Sequence, residues 1–334
     1  MGDLFLKEIT ANFLISSVLT LIVAFPIINF LYRLNITDFK KLSQDLKNKV
    51  FYQLHKHKAG TPSSGGLMIL VSLIFYFVFI SPELTTRSGL LIIAITLASF
   101  VGLADDIIKL LVRKKLLGSE IKIRYQILIQ VFMGGLISYL LYSWVGITSV
   151  TLLGTEINFD VFSFTILGSL YFSSLVTAFN ITDGLDGLFP GMAMISLLPI
   201  VIISSIAGDY FVASFGTYLM GAILTFLYFN VNPARVFLGD VGSSSIAFIL
   251  ALLTIYVDAI IPMTIVFLIF YLEFISSFSQ IIALRMGRRL FKIAPLHHTF
   301  EAIGWSETKV VFRFWLGQIF LSVLGLFLYF SFSV

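Results

Sequence analysis

The chain contains no cysteine, and its charged residues make up only 12% of 334 positions. The first absence excludes disulfides and leaves the redox compartment unreadable. The second leaves a sequence that is 58% hydrophobic, with a mean hydropathy of +1.00. No soluble domain needs that much apolar surface. Short segments of alternating polarity, the signature of a membrane barrel, are also missing. The first apolar stretch, Ala11 to Leu31, lacks a basic start and a small-residue cleavage site, so it reads as a retained helix. A formal net charge of +4 would suit nucleic acid, but no nucleic-acid partner is expected, because the basic residues fall where membrane topology wants them.

What is present is a series of apolar runs, each long enough to cross a ~30 Å hydrocarbon core as a helix. Helices are the economical way to satisfy a backbone where there is no water. Ten segments are predicted, near 11–33, 65–81, 89–107, 126–145, 162–179, 189–207, 212–230, 243–258, 262–283 and 310–332. With the N-terminus outside, nineteen of the 22 Lys and Arg residues fall in the inside loops 33–64, 105–124, 180–188, 231–242 and 284–309. Lys7 and Arg87 alone are assigned to the outside, as the positive-inside rule requires. Asp3, Glu8, Glu83, Glu156, Asp160, Asp209 and Asp258 fall outside, and all four histidines inside. The expected fold is therefore an all-α integral membrane protein of ten transmembrane helices. Both termini are extracytoplasmic, and residues 1–334 form a single polytopic domain. A short amphipathic helix is predicted near 38–54.

Four inside loops carry chemistry. Gly102-Leu-Ala-Asp105-Asp106 ends the third segment with two adjacent carboxylates, which persist at a membrane edge when a cation, a proton or a basic partner offsets them. Lys109, one turn on, is a candidate partner. Asn180-Ile-Thr-Asp183-Gly-Leu-Asp186-Gly187 has no basic residue. Its oxygens suit a hard divalent cation or the donors of a nucleotide, whereas a plain turn needs only one Asp-Gly. Asn230-Val-Asn-Pro-Ala-Arg-Val-Phe237-Leu-Gly239-Asp240-Val-Gly-Ser243 opens the next helix, whose N-terminus offers N–H groups to phosphate. Phe237 reads first as core packing. Ala294-Pro-Leu-His297-His298-Thr-Phe-Glu301 follows Arg285, Arg288, Arg289 and Lys292. That combination suits a transition metal or phosphate oxygens, while the arginines alone suit topology and anionic lipid. Glu273, within the ninth segment, is either functional or paired with an inside-loop base.

Carboxylates, a hard cation, basic residues and histidines at one membrane surface fit phosphoryl transfer, which needs charge neutralisation and positioning more than covalent chemistry. No nucleophile elbow for acyl transfer is present. A secondary transporter is the alternative from another class, but no inverted repeat is visible.

These motifs resemble the polyprenyl-phosphate N-acetylhexosamine-1-phosphate transferase family over about residues 55–309. Ala104-Asp105-Asp106, Asn180-x-x-Asp183-Gly-x-Asp186-Gly-Leu and Phe237-x-Gly-Asp240-x-Gly-Ser carry the likeness. Lys58-Ala-Gly-Thr-Pro-Ser63-Ser-Gly-Gly, the His297-His298 loop and Gly304-Trp-Ser-Glu-Thr-Lys-Val-Val are similar to the branch that uses UDP-MurNAc-pentapeptide. The resemblance implies a bacterial inner-membrane enzyme with its active site facing the cytoplasm. It implies transfer of the sugar phosphate to undecaprenyl phosphate, giving lipid I and UMP. A relative using another UDP-HexNAc donor is the alternative within the family.

By the same resemblance Asp240 and Asp183 bind Mg²⁺, and Asp105 is a candidate base with Asp106 beside it. Asn180, Asp183 and Asp186 line the nucleotide and metal site, and Asn230 and Ser63 bind substrate. Phe237 stacks on uracil, Lys58 meets the phosphates, and His297 and His298 meet the diphosphate or sugar. A homodimer is expected by analogy. The sequence departs from the branch at Thr299, where a third histidine is usual, in the run Thr61-Pro-Ser-Ser-Gly-Gly, and at Gln126, where a lysine is usual.

Overall fold

A computed structural model describes residues 2–34, 58, 60–81, 84–113, 116–152 and 154–332. The amphipathic helix expected near 38–54, with His55 and His57, lies outside the described residues. Elsewhere the apolar runs form helices: α1 (Gly2–Arg33), α2 (Gly66–Phe75, continued by a π turn over Tyr76–Ile80), α3 (Thr86–Arg113) and α4 (Ile123–Leu140, with a π turn over Leu141–Val145). After a hairpin, β1 (Ser149–Leu152) and β2 (Thr155–Asn158), come α5 (Val161–Thr182), α6 (Leu188–Ile206), α7 (Tyr210–Asn230) and α8 (Gly239–Tyr256). The chain ends with α9 (Ile260–Val266), α10 (Leu268–Arg285), α11 (Leu296–Ala302) and α12 (Glu307–Phe332). Among the described residues nine helices are long and apolar enough to span a bilayer, and Gly66–Ile80 is a shorter apolar helix. The protein is a multi-pass integral membrane protein.

Helix α8 is the most enclosed, with 83% of its residues buried, as expected of a helix apolar on every side. The peripheral helices instead expose stripes such as Phe312, Leu316, Phe320 and Phe327 of α12, which suit contact with hydrocarbon. Two glycines let neighbours close on the start of α8. A side chain at Gly66 would collide with the backbone of Gly242, and one at Gly102 with the backbone of Asp240. The chemistry-bearing N-terminus of α8 is thus clasped by α2 and α3.

The expected ninth helix, 262–283, is two helices in the structure, α9 and α10, meeting at the fully buried Phe267. A break inside a membrane is tolerated only where its freed backbone groups find partners. Here Gln318 of α12 donates to the Val266 carbonyl at 2.8 Å. Gly325, which has no side chain to strike Val266 and Pro262, lets α12 come close enough. The hairpin was not foreseen. Its strands pair antiparallel, Ser149 opposite Asn158, with Gly154 in the left-handed region at the turn (φ +80°).

Several residues assigned by charge to the outside, Arg87, Asp160, Asp209 and Asp258 among them, make their contacts at the helix ends away from the chemistry-bearing loops. Arg87 pairs with Asp209 at 2.6 Å, and the Tyr256 hydroxyl donates to the Arg87 carbonyl. Thr151 of the hairpin donates its backbone N–H to Asp258. Asp160 caps α5, and the Ser163 hydroxyl and N–H hold its carboxyl below the usual carboxylate range. The four chemistry-bearing loops gather at the opposite end.

Candidate active site

Helix α3 carries Asp105, Asp106 and Lys109 in its last turns, and Asp240 stands in the first turn of α8. The Lys109 ammonium lies between two carboxylates, 2.8 Å from Asp105 and 2.5 Å from Asp240. Asp105 is also held by Gln126, whose amide donates to both carboxylate oxygens at 3.1 Å. Gln126 therefore fixes the carboxylate without bringing a second charge. Arg124 does not supply that charge either, since its guanidinium stacks on the exposed Tyr125 ring.

The two adjacent aspartates have different work. Asp106 accepts from the Asp240 N–H at 3.1 Å, the Val241 N–H at 3.4 Å and the Ser64 hydroxyl at 2.8 Å. It caps α8 from another helix, satisfying N–H groups that the helix cannot pair internally. Asp105 faces the Lys109–Asp240 side. Sequence alone could not separate these roles, because both carboxylates sit in one run.

A second cluster ties four loops together. Lys58 pairs with Asp186 at 2.7 Å and Glu307 at 2.5 Å, all three side chains being less than a tenth exposed. Asp186 also accepts from the Asn232 amide and the Ala234 N–H, both at 3.0 Å. Glu307 accepts from the Asp186 N–H at 2.7 Å. Asn230 takes the Gly187 N–H at 2.9 Å and donates to the Val236 carbonyl at 2.8 Å. Asn180, on α5, exchanges a hydrogen bond with Ser244 of α8. Glu307 and Asn232 complete this cluster, although neither was singled out as a site residue from the sequence. Both stand inside quoted runs, Asn232 in the run Asn230 to Ser243 and Glu307 in Gly304-Trp-Ser-Glu-Thr-Lys-Val-Val.

Two cavities flank Asp240. One, of about 190 Å³, is polar and is lined by Lys58, Ser63, Asp106, Asp183, Asp186, Asn230 and Phe237. The other, of about 230 Å³, is mostly apolar, with Ile121, Ile123, Ile127, Met133, Val176 and Phe248 in its wall and Asp105, Gln126 and Asn180 at its polar end. Lys109 and Asp240 line both. The structure therefore brings together ten of the twelve expected site residues. Phe237 is half-buried in the polar wall, its ring 6.0 Å from the Lys58 ammonium, instead of packed in the core.

His297 and His298 line neither cavity. His297 is fully buried, its Nδ1 3.1 Å from Glu273 and its N–H donating to the same carboxylate at 3.1 Å. Glu273 is thus paired with the histidine loop. His298 bonds Glu301 at 2.7 Å. Thr299, where a third histidine is usual, donates its hydroxyl to the Ile293 carbonyl of its own loop.

Residues 88–258 match the family model of glycosyl transferase family 4. The chain is 34% identical to the phospho-N-acetylmuramoyl-pentapeptide-transferase of Bacillus subtilis (strain 168), with 98% of each chain covered. It is 36% identical to the protein of that name from Bacillus pumilus (strain SAFR-032), covering 83% of this chain and 86% of the relative. A third, from Symbiobacterium thermophilum, is 35% identical over 81% of this chain and 83% of its own.

Proposed function

Because the chain belongs to glycosyl transferase family 4, we propose that the two cavities meeting at Lys109 and Asp240 are the donor and acceptor sites of a phospho-N-acetylmuramoyl-pentapeptide transferase. The enzyme moves phospho-MurNAc-pentapeptide from its UDP donor to a lipid carrier, undecaprenyl phosphate, in peptidoglycan synthesis, giving lipid I and UMP. One observation carries the assignment of sites. A polar cavity and an apolar cavity share one ammonium and one carboxylate. That arrangement suits a water-soluble anionic donor and a lipid phosphate arriving from different sides.

In this reading the nucleotide lies against Phe237, Asp183 and Asp186, and the lipid chain runs along Ile123, Ile127 and Phe248. A phosphate oxygen of the lipid attacks the β-phosphorus of the donor. The bond from that phosphorus to the UMP oxygen breaks, and UMP leaves. Lys109 neutralises charge on the phosphates where the cavities meet. Asp105, oriented by Gln126, accepts the proton of the lipid phosphate when one is present.

Mg²⁺ fits this site. The Asp105–Asp240 pair already accepts a cation, the Lys109 ammonium, and Asp183 lines the same cavity as Asp240. Among the described residues no three His, Asp or Glu side chains cluster at metal spacing. That is ordinary for Mg²⁺, which takes one or two carboxylates and leaves its other positions to water and phosphate. Asp240 and Asp183 would hold it, and it would neutralise diphosphate oxygens.

We extend the reading to ten crossings, counting Gly66–Ile80 and taking α9 with α10 as one. Both ends then lie outside, and the active site faces the cytoplasm of a bacterial inner membrane. The chain is taken as one domain and as a homodimer in the membrane. The decisive experiment offers purified protein UDP-MurNAc-pentapeptide and UDP-GlcNAc in parallel, with undecaprenyl phosphate and Mg²⁺, and measures UMP. The pentapeptide donor should be used and Asp240→Ala should be inactive. UMP from UDP-GlcNAc alone, or full turnover by Asp240→Ala, would refute the assignment.

A further inference from the structure

Glu273 is a carboxylate with no exposure, set within the membrane helix α10. A charge there needs a partner that repays its desolvation. Its partner is His297, which gives it both the backbone N–H and the Nδ1 edge of the ring. The opposite ring nitrogen, Nε2, is buried and has no hydrogen-bond partner among the described residues. That edge lies against Gly184, where any side chain would strike the imidazole. Gly184 stands between Asp183 and Asp186, and its neighbours line the polar cavity but not the apolar one.

We propose that Glu273 is a positioning residue of the transfer reaction: from inside the membrane it orients His297, and the imidazole in turn sets the Asp183–Asp186 loop against the donor. The inference rests on the transferase reading above. A carboxylate can only accept, so in the neutral ring it keeps the hydrogen on Nδ1 and the lone pair on Nε2, facing the loop. Glutamine fills the same space and still accepts from the His297 N–H. Its amide group, however, donates to Nδ1 and inverts the tautomer.

UMP release by Glu273→Gln, His297→Ala and the double variant tests this. Glu273→Gln should lower kcat/KM for the UDP donor on the order of tenfold or more, the direction seen when other carboxylate-oriented imidazoles lose their carboxylate. KM for undecaprenyl phosphate should stay unchanged. Added to His297→Ala, it should cost less than about twofold further, because its effect passes through the imidazole. Gly184→Ala approaches the contact from the other side and leaves Glu273 untouched. It should give the same donor-only defect, and once His297→Ala has removed the ring it should add no further loss. Penalties that multiply, or an acceptor KM that rises with the donor KM, overturn the inference on an otherwise active enzyme. Absence of UMP from the wild-type protein overturns the transferase reading and this inference with it.

Discussion

Lys58→Met should damage folding more than substrate binding. The Lys58 ammonium is buried and lies 2.7 Å from Asp186 and 2.5 Å from Glu307. Methionine keeps most of the side-chain volume but leaves two carboxylates facing each other with no cation between them. Removing one member of a buried ion pair costs about 3–5 kcal/mol, because the remaining charge is left uncompensated. At roughly 2–4 °C per kcal/mol for a chain of a few hundred residues, the loss of Tm is on the order of 10 °C. Intrinsic tryptophan fluorescence during heating in detergent reads it directly, since the Trp315 indole donates to the Gly187 carbonyl beside this cluster. Adding Glu307→Gln to Lys58→Met removes one of the stranded charges and should recover part of the loss. An unchanged Tm with a donor KM raised about tenfold would refute the reasoning and make Lys58 chiefly a phosphate ligand.

Gly66→Ala forces a methyl group into the Gly242 backbone and should cost about 1–3 kcal/mol, with turnover falling as the start of α8 shifts. The same assay would show no effect if that crossing were loose. Gln318→Leu strands the Val266 carbonyl at the α9–α10 break and should cost about 1–3 kcal/mol of stability without moving either substrate KM. Because the chain has no cysteine, single replacements give a clean test of topology. Thr155→Cys should react with an impermeant maleimide on intact cells and Ser306→Cys only after permeabilisation, the reverse pattern refuting the orientation. Lys109→Met should abolish UMP release, since the cation shared by both cavities is lost, and retained turnover would break the assignment of the acceptor end.

Much of the candidate site was legible because its residue types are improbable where they stand. An inside loop without a base, Asn180 to Leu188, announces a ligand, and Asp183 and Asp186 do line the polar cavity. The adjacent pair Asp105-Asp106 called for a cation, a proton or a basic partner, and Lys109 is the basic partner of Asp105. Phe237 read first as packing because an aromatic residue beside an apolar helix is indistinguishable from core. In the structure its backbone bonds Pro62 and Gly65, and its ring lines the polar cavity. Glu307 carried a weak signal, since its meaning depends on Lys58, which is 249 positions away.

Hydropathy and charge act along the chain, position by position, so the sequence alone determined the membrane class and the approximate spans. It also determined which loops share an end, because each crossing reverses the side. Pairing acts across the bundle, between residues brought together only after the helices pack. The tertiary structure therefore decided that Asp106 caps α8 while Asp105 faces Lys109, and that Lys58 is spent on two buried acids. It also decided that the ninth segment breaks at Phe267 and that the buried carboxyl group of Glu273 meets His297.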